Sequence, residues 1–282
     1  MAHQAPTVAS LLRAAEDTLA ASSDSPRLDA ELLLAQTLQR SRSYLYSWPE
    51  AKLNTTQQAL FQALLQQRVK GEPIAYLIGR REFWSLELEV SPATLIPRPE
   101  TELLVEQALL RLPAQPALIA DLGTGSGAIA LALAHERPDC RVIATDYSTE
   151  ALALARRNAA RLQVSTVEFC AGDWLAALPA GVYQMIVSNP PYIAASSSYL
   201  QHGDVRFEPT AALVSGADGL DAIRHIVTQA QQHLATGGWL LLEHGFDQGA
   251  SVRALLSQAG YQTVSTEVDL AGHERVSCGQ RG

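Results

Sequence analysis

Residues 188–192, Ser-Asn-Pro-Pro-Tyr, combine residue types that can hold a planar nitrogen group for reaction. They follow the apolar residues 185–187, so we expect them at the carboxyl edge of a sheet, where open α/β folds bind ligands. The two prolines stiffen the backbone, and the Asn189 carboxamide and the Pro190 carbonyl can then both point at one NH2 group. When these two oxygens accept hydrogen bonds from the two N–H groups, the nitrogen lone pair is freed, which favours methylation of a carboxamide or a base amine. We expect Tyr192 to wall this slot and contact the substrate; the alternative is a turn that merely ends the strand.

Residues 121–128, Asp-Leu-Gly-Thr-Gly-Ser-Gly-Ala, form a glycine-rich turn between a predicted buried strand and a predicted helix. Glycine lets a ligand approach the backbone closely, and the N–H groups at a helix start suit a carboxylate or a phosphate. With Ala128 counted in place of the third glycine, the run also fits a loose dinucleotide fingerprint. Taken alone, the segment is also compatible with a tight turn that binds nothing.

Asp146 closes the next predicted strand, at the position where dinucleotide-binding proteins place an acidic residue. There it accepts hydrogen bonds from ribose hydroxyls, whereas a helix cap is the structural alternative. Asp173 and Trp174 follow the third strand and can read an adenine ring by hydrogen bonding and stacking. The glycine turn and Asp146 together predict a nucleoside-containing cofactor, and both NAD and S-adenosylmethionine fit at this point.

The elements that must position these residues alternate between strand and helix patterns from Glu100 onward. This alternation predicts βαβ units and a mostly parallel sheet, with a final antiparallel pair at residues 263–268 and 275–278. The predicted helices cover residues 103–112, 129–136, 150–162, 219–234 and 248–258, and the predicted strands cover residues 117–120, 141–145, 166–170, 183–188 and 239–243.

Three domains are predicted along the chain. Residues 1–73 show helical spacing of apolar residues without a catalytic constellation, so we expect a helical domain that contacts a partner. Residues 74–99 form a linker with a β-hairpin and a rigid proline-spaced segment, and residues 100–282 form the domain that carries the chemistry. The helix starts predicted for the first domain are Ser25 as the cap before Pro26, and a capping box of Thr55 with Gln58.

Composition limits the class of protein. Of 282 residues, 47% are hydrophobic, enough for a sizeable core. Lysine and arginine number 21 against 29 acidic residues, a net charge of -8, which argues against a long basic track for nucleic acid. No apolar run is long enough for a membrane helix, and no signal peptide is recognisable. The isolated cysteines favour a reducing cytoplasm; they are Cys140, Cys170 and Cys278.

The motifs at residues 121–128 and 189–192 resemble class I S-adenosylmethionine-dependent methyltransferases that act on planar nitrogens. Three further segments, residues 81–85, 95–102 and 204–209, narrow the resemblance to the HemK/PrmC family, and the match covers nearly the whole chain. That family methylates the side-chain amide nitrogen (N5) of the glutamine in the Gly-Gly-Gln loop of class 1 peptide chain release factors, which act in translation termination. The resemblance implies an α/β fold: a Rossmann-like sheet of seven strands whose last strand is antiparallel, preceded by a small N-terminal helical domain.

The resemblance also implies the cofactor, S-adenosylmethionine, and a role for each motif residue. Asp146 would bind the ribose and Trp174 the adenine, and Asn189 would contact both cofactor and substrate. Direct in-line displacement at the sulfonium methyl is expected, without a metal or a covalent enzyme intermediate. Arg98, Glu100 and Glu102 either contact the cofactor or order the connection. The methionine end is assigned to Gly123, Thr124, Gly125, Ser126 and Gly127, the glutamine amide to Asn189, Pro190, Pro191 and Tyr192, and catalysis to Asn189, Pro190 and Tyr192.

Several alternatives stay open at this point: glutamine methylation of a ribosomal protein, adenine-amine methylation of nucleic acid, an NAD-dependent oxidoreductase, and a binding module without activity. Residues 96–101 favour release factors, and the acidic balance counts against nucleic acid. We expect a cytoplasmic monomer that binds no membrane and no nucleic acid in a sequence-specific way. The histidines lack metal-binding spacing, and only His244, beside Glu243 at the end of a strand, merits a test.

Overall fold

The computed structural model describes residues 6–282, which divide into two compact units. The helical unit takes in the chain up to Arg80 together with His202–Phe207, and the sheet unit consists of Arg81–Gln201 and Glu208–Gly282. The predicted domain boundaries at residues 73 and 99 stay predictions.

The helical unit is built from α1 to α5, and its capping differs from the prediction at two places. The capping box of α4 is formed by Asn54 and Gln57, one residue earlier than the predicted Thr55 and Gln58, because the Asn54 side chain also satisfies a helix N–H group. Ser25 precedes α2 but its side chain makes no capping hydrogen bond. The five helices are α1 (Val8–Leu19), α2 (Pro26–Leu38), α3 (Arg42–Ser47), α4 (Thr55–Val69) and α5 (Ile74–Ile78).

Two carboxylates are buried in the helical unit, and both are paired with arginine. Asp29 Oδ2 lies 2.7 Å from Arg68 Nε. Glu31 accepts from Arg27 and from Arg42, each at 2.7 Å. The apolar faces of α1, α2 and α4 form the core of the unit. The carboxylates are buried, whereas Arg27 and Arg42 stay partly exposed, so each buried charge is neutralised by a cation.

A short hairpin of β1 (Arg80–Phe83) and β2 (Leu86–Glu89) lies within the segment where a hairpin was predicted. Its turn consists of Trp84 and Ser85, which both have positive φ, 51° and 57°. That is the backbone of the two-residue turn that matches the twist of paired strands. Residues 74–78 form α5 rather than part of the hairpin.

The sheet unit contains one seven-stranded sheet with the order β5-β4-β3-β6-β7-β9-β8. Neighbours from β5 to β7 are parallel, whereas β9 is antiparallel to both β7 and β8. The predicted fold, a seven-stranded sheet whose last strand is antiparallel, is therefore confirmed. The strands are β3 (Leu118–Leu122), β4 (Arg141–Asp146), β5 (Val167–Ala171), β6 (Tyr183–Ser188), β7 (Leu234–Glu243), β8 (Gln262–Val268) and β9 (Glu274–Gln280).

Helices cover both faces of this sheet, since residues of β3 alternate between two apolar clusters. Ile119 packs with α6, α7 and α8, whereas Ala120 packs with α9 and α10. The helix predicted at 219–234 is shorter, because Leu234 pairs with Tyr183 at the start of β7. Within residues 6–282, no helix is long and apolar enough to cross a membrane. The helices are α6 (Glu102–Arg111), α7 (Ala128–Glu136), α8 (Thr149–Arg161), α9 (Asp221–Ala230) and α10 (Gly249–Gln258).

Candidate active site

A cavity of about 530 Å³ lies at the carboxyl ends of β3, β4, β5 and β6 in the sheet unit. This volume falls within the range of roughly 300–1,000 Å³ that is usual for small-molecule sites. The position is the one where parallel α/β sheets bind ligands. The structure brings eight of the predicted site residues to its lining: Gly123, Thr124, Gly125, Ser126, Asp146, Trp174, Asn189 and Pro191.

Three predicted site residues lie outside that lining. Gly127 begins α7, and a Cβ atom on it would meet Leu131 and Ala155 at 3.1 and 3.2 Å, so it allows the helix to pack closely. Pro190 is buried. Tyr192 directs its hydroxyl to Glu243 Oε1, 3.4 Å away, and burial raises the pKa of that hydroxyl. The wall role of Tyr192 stays a prediction.

The glycine loop after β3 is held in place by hydrogen bonds to the ends of β3 and β4. Gly123 and Thr124 both donate their N–H groups to the carbonyl of Thr145, at 2.9 Å. A Cβ on Gly123 would lie 3.1 Å from the Trp174 ring, which places that ring directly over the loop. Gly125 has a φ of +57° and open space where a Cβ would stand, so its backbone is accessible.

Asp121 lies near the end of β3, just before this loop. It is fully buried and fixes the conformation of the turn. Its Oδ2 accepts from Thr124 Oγ1 at 2.6 Å and from the N–H of Ala130 at 3.2 Å. Burial, with a smaller contribution from the charge of Asp146, raises the pKa of this carboxyl to about 7, although the hydrogen bonds from Thr124 and Ala130 act in the opposite direction. The buried carboxyl therefore ties the glycine loop to the first turn of α7.

Asp146 joins the end of β4 to the glycine loop. Its Oδ2 accepts the N–H of Gly125 at 2.8 Å, and its Oδ1 accepts the N–H of Ser148 at 2.9 Å. Burial raises its pKa, while these backbone bonds favour the ionised form. Each carboxylate oxygen can accept more than one hydrogen bond, so Asp146 retains acceptor capacity on the side that lines the cavity.

Asn189 lies at the other end of the lining, directly after β6. Its Nδ2 donates to the hydroxyl of Thr101, 3.1 Å away. With the NH2 end of the carboxamide used in this way, Oδ1 is the atom left to accept a hydrogen bond from a ligand. Pro191 lines the cavity beside it.

A wall of the cavity that sequence reasoning did not assign comes from the proline-spaced segment before α6. Arg98 Nη2 lies 2.5 Å from Glu208 Oε2, and Glu208 Oε1 accepts the N–H of Ile96 at 3.1 Å. These bonds join the segment to Pro209, which lines the cavity as well. In the sequence, the only signal for this wall is the family resemblance of residues 95–102 and 204–209, which does not indicate that the two segments pair.

The other uncertain residues have positions that separate them from the cavity. Glu102 Oε1 accepts the N–H of Trp84 at 2.8 Å and so orders the hairpin turn. Glu100 is exposed. His244 is buried, with Nε2 at 2.8 Å from the hydroxyl of Ser277, and burial lowers its pKa. Arg98, by contrast, both lines the cavity and orders the connection.

The geometry supports one kind of chemistry. Backbone N–H groups at the start of α7 and the Asp146 carboxylate suit a polar nucleoside-containing ligand, and the Asn189 amide oxygen suits an N–H donor brought beside it. Among the described residues, no cluster of three or more histidine, cysteine or acidic side chains is arranged to hold a metal ion. The site is therefore suited to positioning two organic partners next to each other.

Comparison with known proteins agrees with this geometry. Residues 10–79 match the family model described as the PrmC N-terminal domain, and residues 99–205 match the methyltransferase small domain. A release factor glutamine methyltransferase from Salmonella typhimurium is 55% identical over 258 residues, 92% of this chain and 93% of the relative. One of the same name from Vibrio cholerae is 51% identical over 97% of this chain and 96% of its own length.

A solved structure shows the same fold at lower identity. The methyltransferase from Pyrococcus furiosus is 22% identical and superposes with a TM-score of 0.54, over 78% of this chain and 98% of that chain. At this identity the likeness concerns the fold alone.

Proposed function

The chain belongs to the family of release factor glutamine methyltransferases, and we propose that it methylates the side-chain amide nitrogen of the glutamine in the Gly-Gly-Gln loop of class 1 peptide chain release factors. The methyl donor is S-adenosylmethionine. The observation that supports this proposal most strongly is the position of the Asn189 carboxamide on the cavity lining. Its oxygen is left as a hydrogen-bond acceptor, and the other lining residues suit a nucleoside.

The residues around the cavity fit S-adenosylmethionine. Asp146 offers carboxylate oxygens for the two ribose hydroxyls, and the start of α7 offers N–H donors for a carboxylate. The Trp174 ring stands over Gly123, where it can cover an adenine or the chain that joins it to methionine. When bound, this cofactor supplies a methyl group on a positively charged sulfur.

The substrate end is formed by Asn189 and Pro190. Asn189 Oδ1 and the Pro190 carbonyl accept hydrogen bonds from the two N–H groups of the glutamine amide. This arrangement favours a pyramidal nitrogen and makes its lone pair available. The same two acceptors orient that lone pair, and positioning of this kind is worth about 7–11 kcal/mol in favourable cases. The proton leaves after transfer, so no strong base is required.

The helical unit has a separate role in this proposal. Its described residues, 6–80 and 202–207, include no residue of the cavity lining and no catalytic constellation. Its exposed Tyr46 and Trp48 are residue types enriched at protein interfaces. We assign it to contact with the release factor. We further propose that the enzyme acts as a cytoplasmic monomer, with the three free cysteines reduced.

The proposal is tested by incubating the chain with labelled S-adenosylmethionine and a purified release factor, followed by mass mapping. Label on the glutamine of the Gly-Gly-Gln loop is the expected result. A release factor with glutamate at that position lacks the NH2 group and is the matched control, which should receive no methyl there. Label on a ribosomal protein or nucleic acid alone would overturn the assignment, as would calorimetric binding of NAD without binding of S-adenosylmethionine.

A further inference from the structure

Behind Asn189, a row of polar side chains reaches into the interior of the sheet unit. Asn189 Nδ2 donates to Thr101 Oγ1 at 3.1 Å. Thr101 in turn lies close enough to Glu243 to favour the ionised form of that carboxyl, and Glu243 Oε1 accepts the hydroxyl of Tyr192 at 3.4 Å. Thr101 is 4% exposed and Glu243 is 1% exposed, so water does not substitute for these bonds.

The direction of these hydrogen bonds follows from the chemistry of the groups. An ionised carboxylate only accepts, and a hydroxyl has one proton to donate and lone pairs with which to accept. An ionised Glu243 beside Thr101 attracts the hydroxyl proton, which leaves the Thr101 lone pairs to accept from Asn189. Thr101 therefore accepts a hydrogen bond from the Asn189 NH2 group. The opposite orientation of the carboxamide is unfavourable, because Asn189 Oδ1 would then face the Thr101 lone pairs.

We infer that Thr101 is a positioning residue for methyl transfer: oriented by Glu243, its hydroxyl holds the Asn189 carboxamide with Oδ1 toward the substrate amide. This inference rests on the proposed function, because it takes Asn189 as the acceptor of the glutamine N–H. It adds a residue that the motif at 188–192 does not contain. Without Thr101, the carboxamide is free to turn and to present NH2 to the substrate, where two donors oppose each other.

The surroundings of Glu243 support its part in this arrangement. Burial raises the pKa of Glu243 to about 7, whereas the hydrogen bonds from Thr101 and Tyr192 and the positive charge of Arg275 favour its ionised form. Glu100 acts in the opposite sense. Among the described residues, Glu243 Oε2 has no hydrogen-bond partner, so the carboxylate keeps the capacity to attract the Thr101 proton.

The first test compares Thr101→Val with Thr101→Ser. Valine keeps the shape of threonine but can neither accept from Asn189 nor donate to Glu243, whereas serine keeps the hydroxyl. We expect kcat for methylation of the release factor to fall about tenfold or more in Thr101→Val and to stay close to wild type in Thr101→Ser. The affinity for S-adenosylmethionine, measured by calorimetry, should be unchanged in both, which also verifies that both variants fold.

The second test places Thr101→Val in the Asn189→Ala background. If Thr101 acts only through Asn189, the double variant should turn over no more slowly than Asn189→Ala alone. An additive loss in the double variant, or wild-type kcat in Thr101→Val, would overturn the positioning role. If Asn189→Ala itself kept full turnover, the failure would instead lie with the proposed function, so the two failures are distinguishable.

Discussion

Buried carboxylates have different hydrogen-bond partners in the two units, and where their pKa values shift, they shift in opposite directions. In the helical unit Asp29 and Glu31 are each held by arginine. Burial opposes the ionisation of Glu31, but hydrogen bonds from Tyr46, Arg42 and Arg27 outweigh it and lower its pKa. In the sheet unit Asp121 and Glu243 meet hydroxyl groups instead, and burial raises the pKa of each to about 7.

The difference separates acids that hold a fold together from acids that order a site. A paired charge is fixed and neutralised, and removing its partner leaves an uncompensated charge. An acid surrounded by hydroxyls instead sets the direction of their protons, as Asp121 does for Thr124 and Glu243 for Thr101. Within the sheet unit, Glu208 follows the helical pattern through Arg98, and it builds a wall of the cavity.

The largest effect is expected from breaking a pair in the helical unit. Arg68→Ala leaves Asp29 buried without its cation and should lower the free energy of opening α2 and α4 by about 3–5 kcal/mol. Amide hydrogen exchange on those helices measures it, because exchange reports local opening free energies. Arg13→Ala, at an exposed position of the same unit, is the control. Unchanged exchange in Arg68→Ala would contradict the structural role of the pair.

Asn189→Ala should give the next largest effect, confined to turnover. The variant removes an acceptor that works best when the nitrogen is pyramidal, and loss of one such preorganised group costs about 10²–10³ in kcat. Initial rates with a release factor, alongside calorimetry with S-adenosylmethionine, separate turnover from cofactor binding. A release factor with asparagine in place of the loop glutamine should also be modified poorly, because its amide falls one methylene short. Full turnover in Asn189→Ala would end the planar-nitrogen interpretation.

A smaller effect is expected at Asp146. Asp146→Asn presents one acceptor oxygen instead of two, so the ribose hydroxyls and the N–H groups of Gly125 and Ser148 compete for it. We expect S-adenosylmethionine binding to weaken by about 1.5–3 kcal/mol, with less change in the chemical step. Calorimetry measures this, and Asp247→Asn, an exposed acid, is a control of equal charge change. Equal affinity in Asp146→Asn and wild type would refute the ribose assignment.

The smallest expected effect is the pH dependence of stability that comes from Glu243, and it tests the difference between the buried acids of the two units. The folded pKa of Glu243, about 7, lies above its ordinary value of 4.5. Its contribution to stability is therefore complete below pH 4.5 and is lost as the pH rises through 7. Glu243→Gln removes this loss. The gain is reduced because the neutral amide accepts weaker hydrogen bonds, so we expect a net stabilisation of about 1–2 kcal/mol at pH 8.

Denaturation at a series of pH values checks the sign. Glu31→Gln provides the opposite case. Because the pKa of Glu31 is lowered, its contribution to the stability of the protein is present at neutral pH and is lost in acid. Glu31→Gln should therefore destabilise at pH 8. The same sign for both variants at pH 8 would remove the distinction between the two classes of buried acid.

Local sequence predicted the parts of this molecule that depend on neighbouring residues. The strand-turn-helix at 118–136 and the position of Asp146 follow from periodicity and from glycine, so the fold and the position of the glycine loop were predictable. Thr101 and Glu208 were not, because their partners Asn189 and Arg98 lie 88 and 110 residues away. No local pattern encodes which side chains the sheet brings together.

The helix predicted at 219–234 was too long for a related reason. Its apolar spacing continues to Leu234, and only the pairing of Leu234 with Tyr183 makes that residue the first of β7. The capping box of α4 shows the reverse limit, since Asn54 and Thr55 are adjacent residues that both favour helix starts. Position along the chain alone does not choose between them.

The place of β9 between β7 and β8 sets the order in which the sheet can be completed during synthesis. At this edge, β8 is hydrogen-bonded to β9 alone among the described strands, and β9 is made after it. A nascent chain that ends before Glu274 therefore leaves β8 without a neighbour and the edge of β7 uncovered. Unpaired edges of this kind invite pairing with other chains, so the sheet is closed only when β9, the last of its strands to be made, is in place.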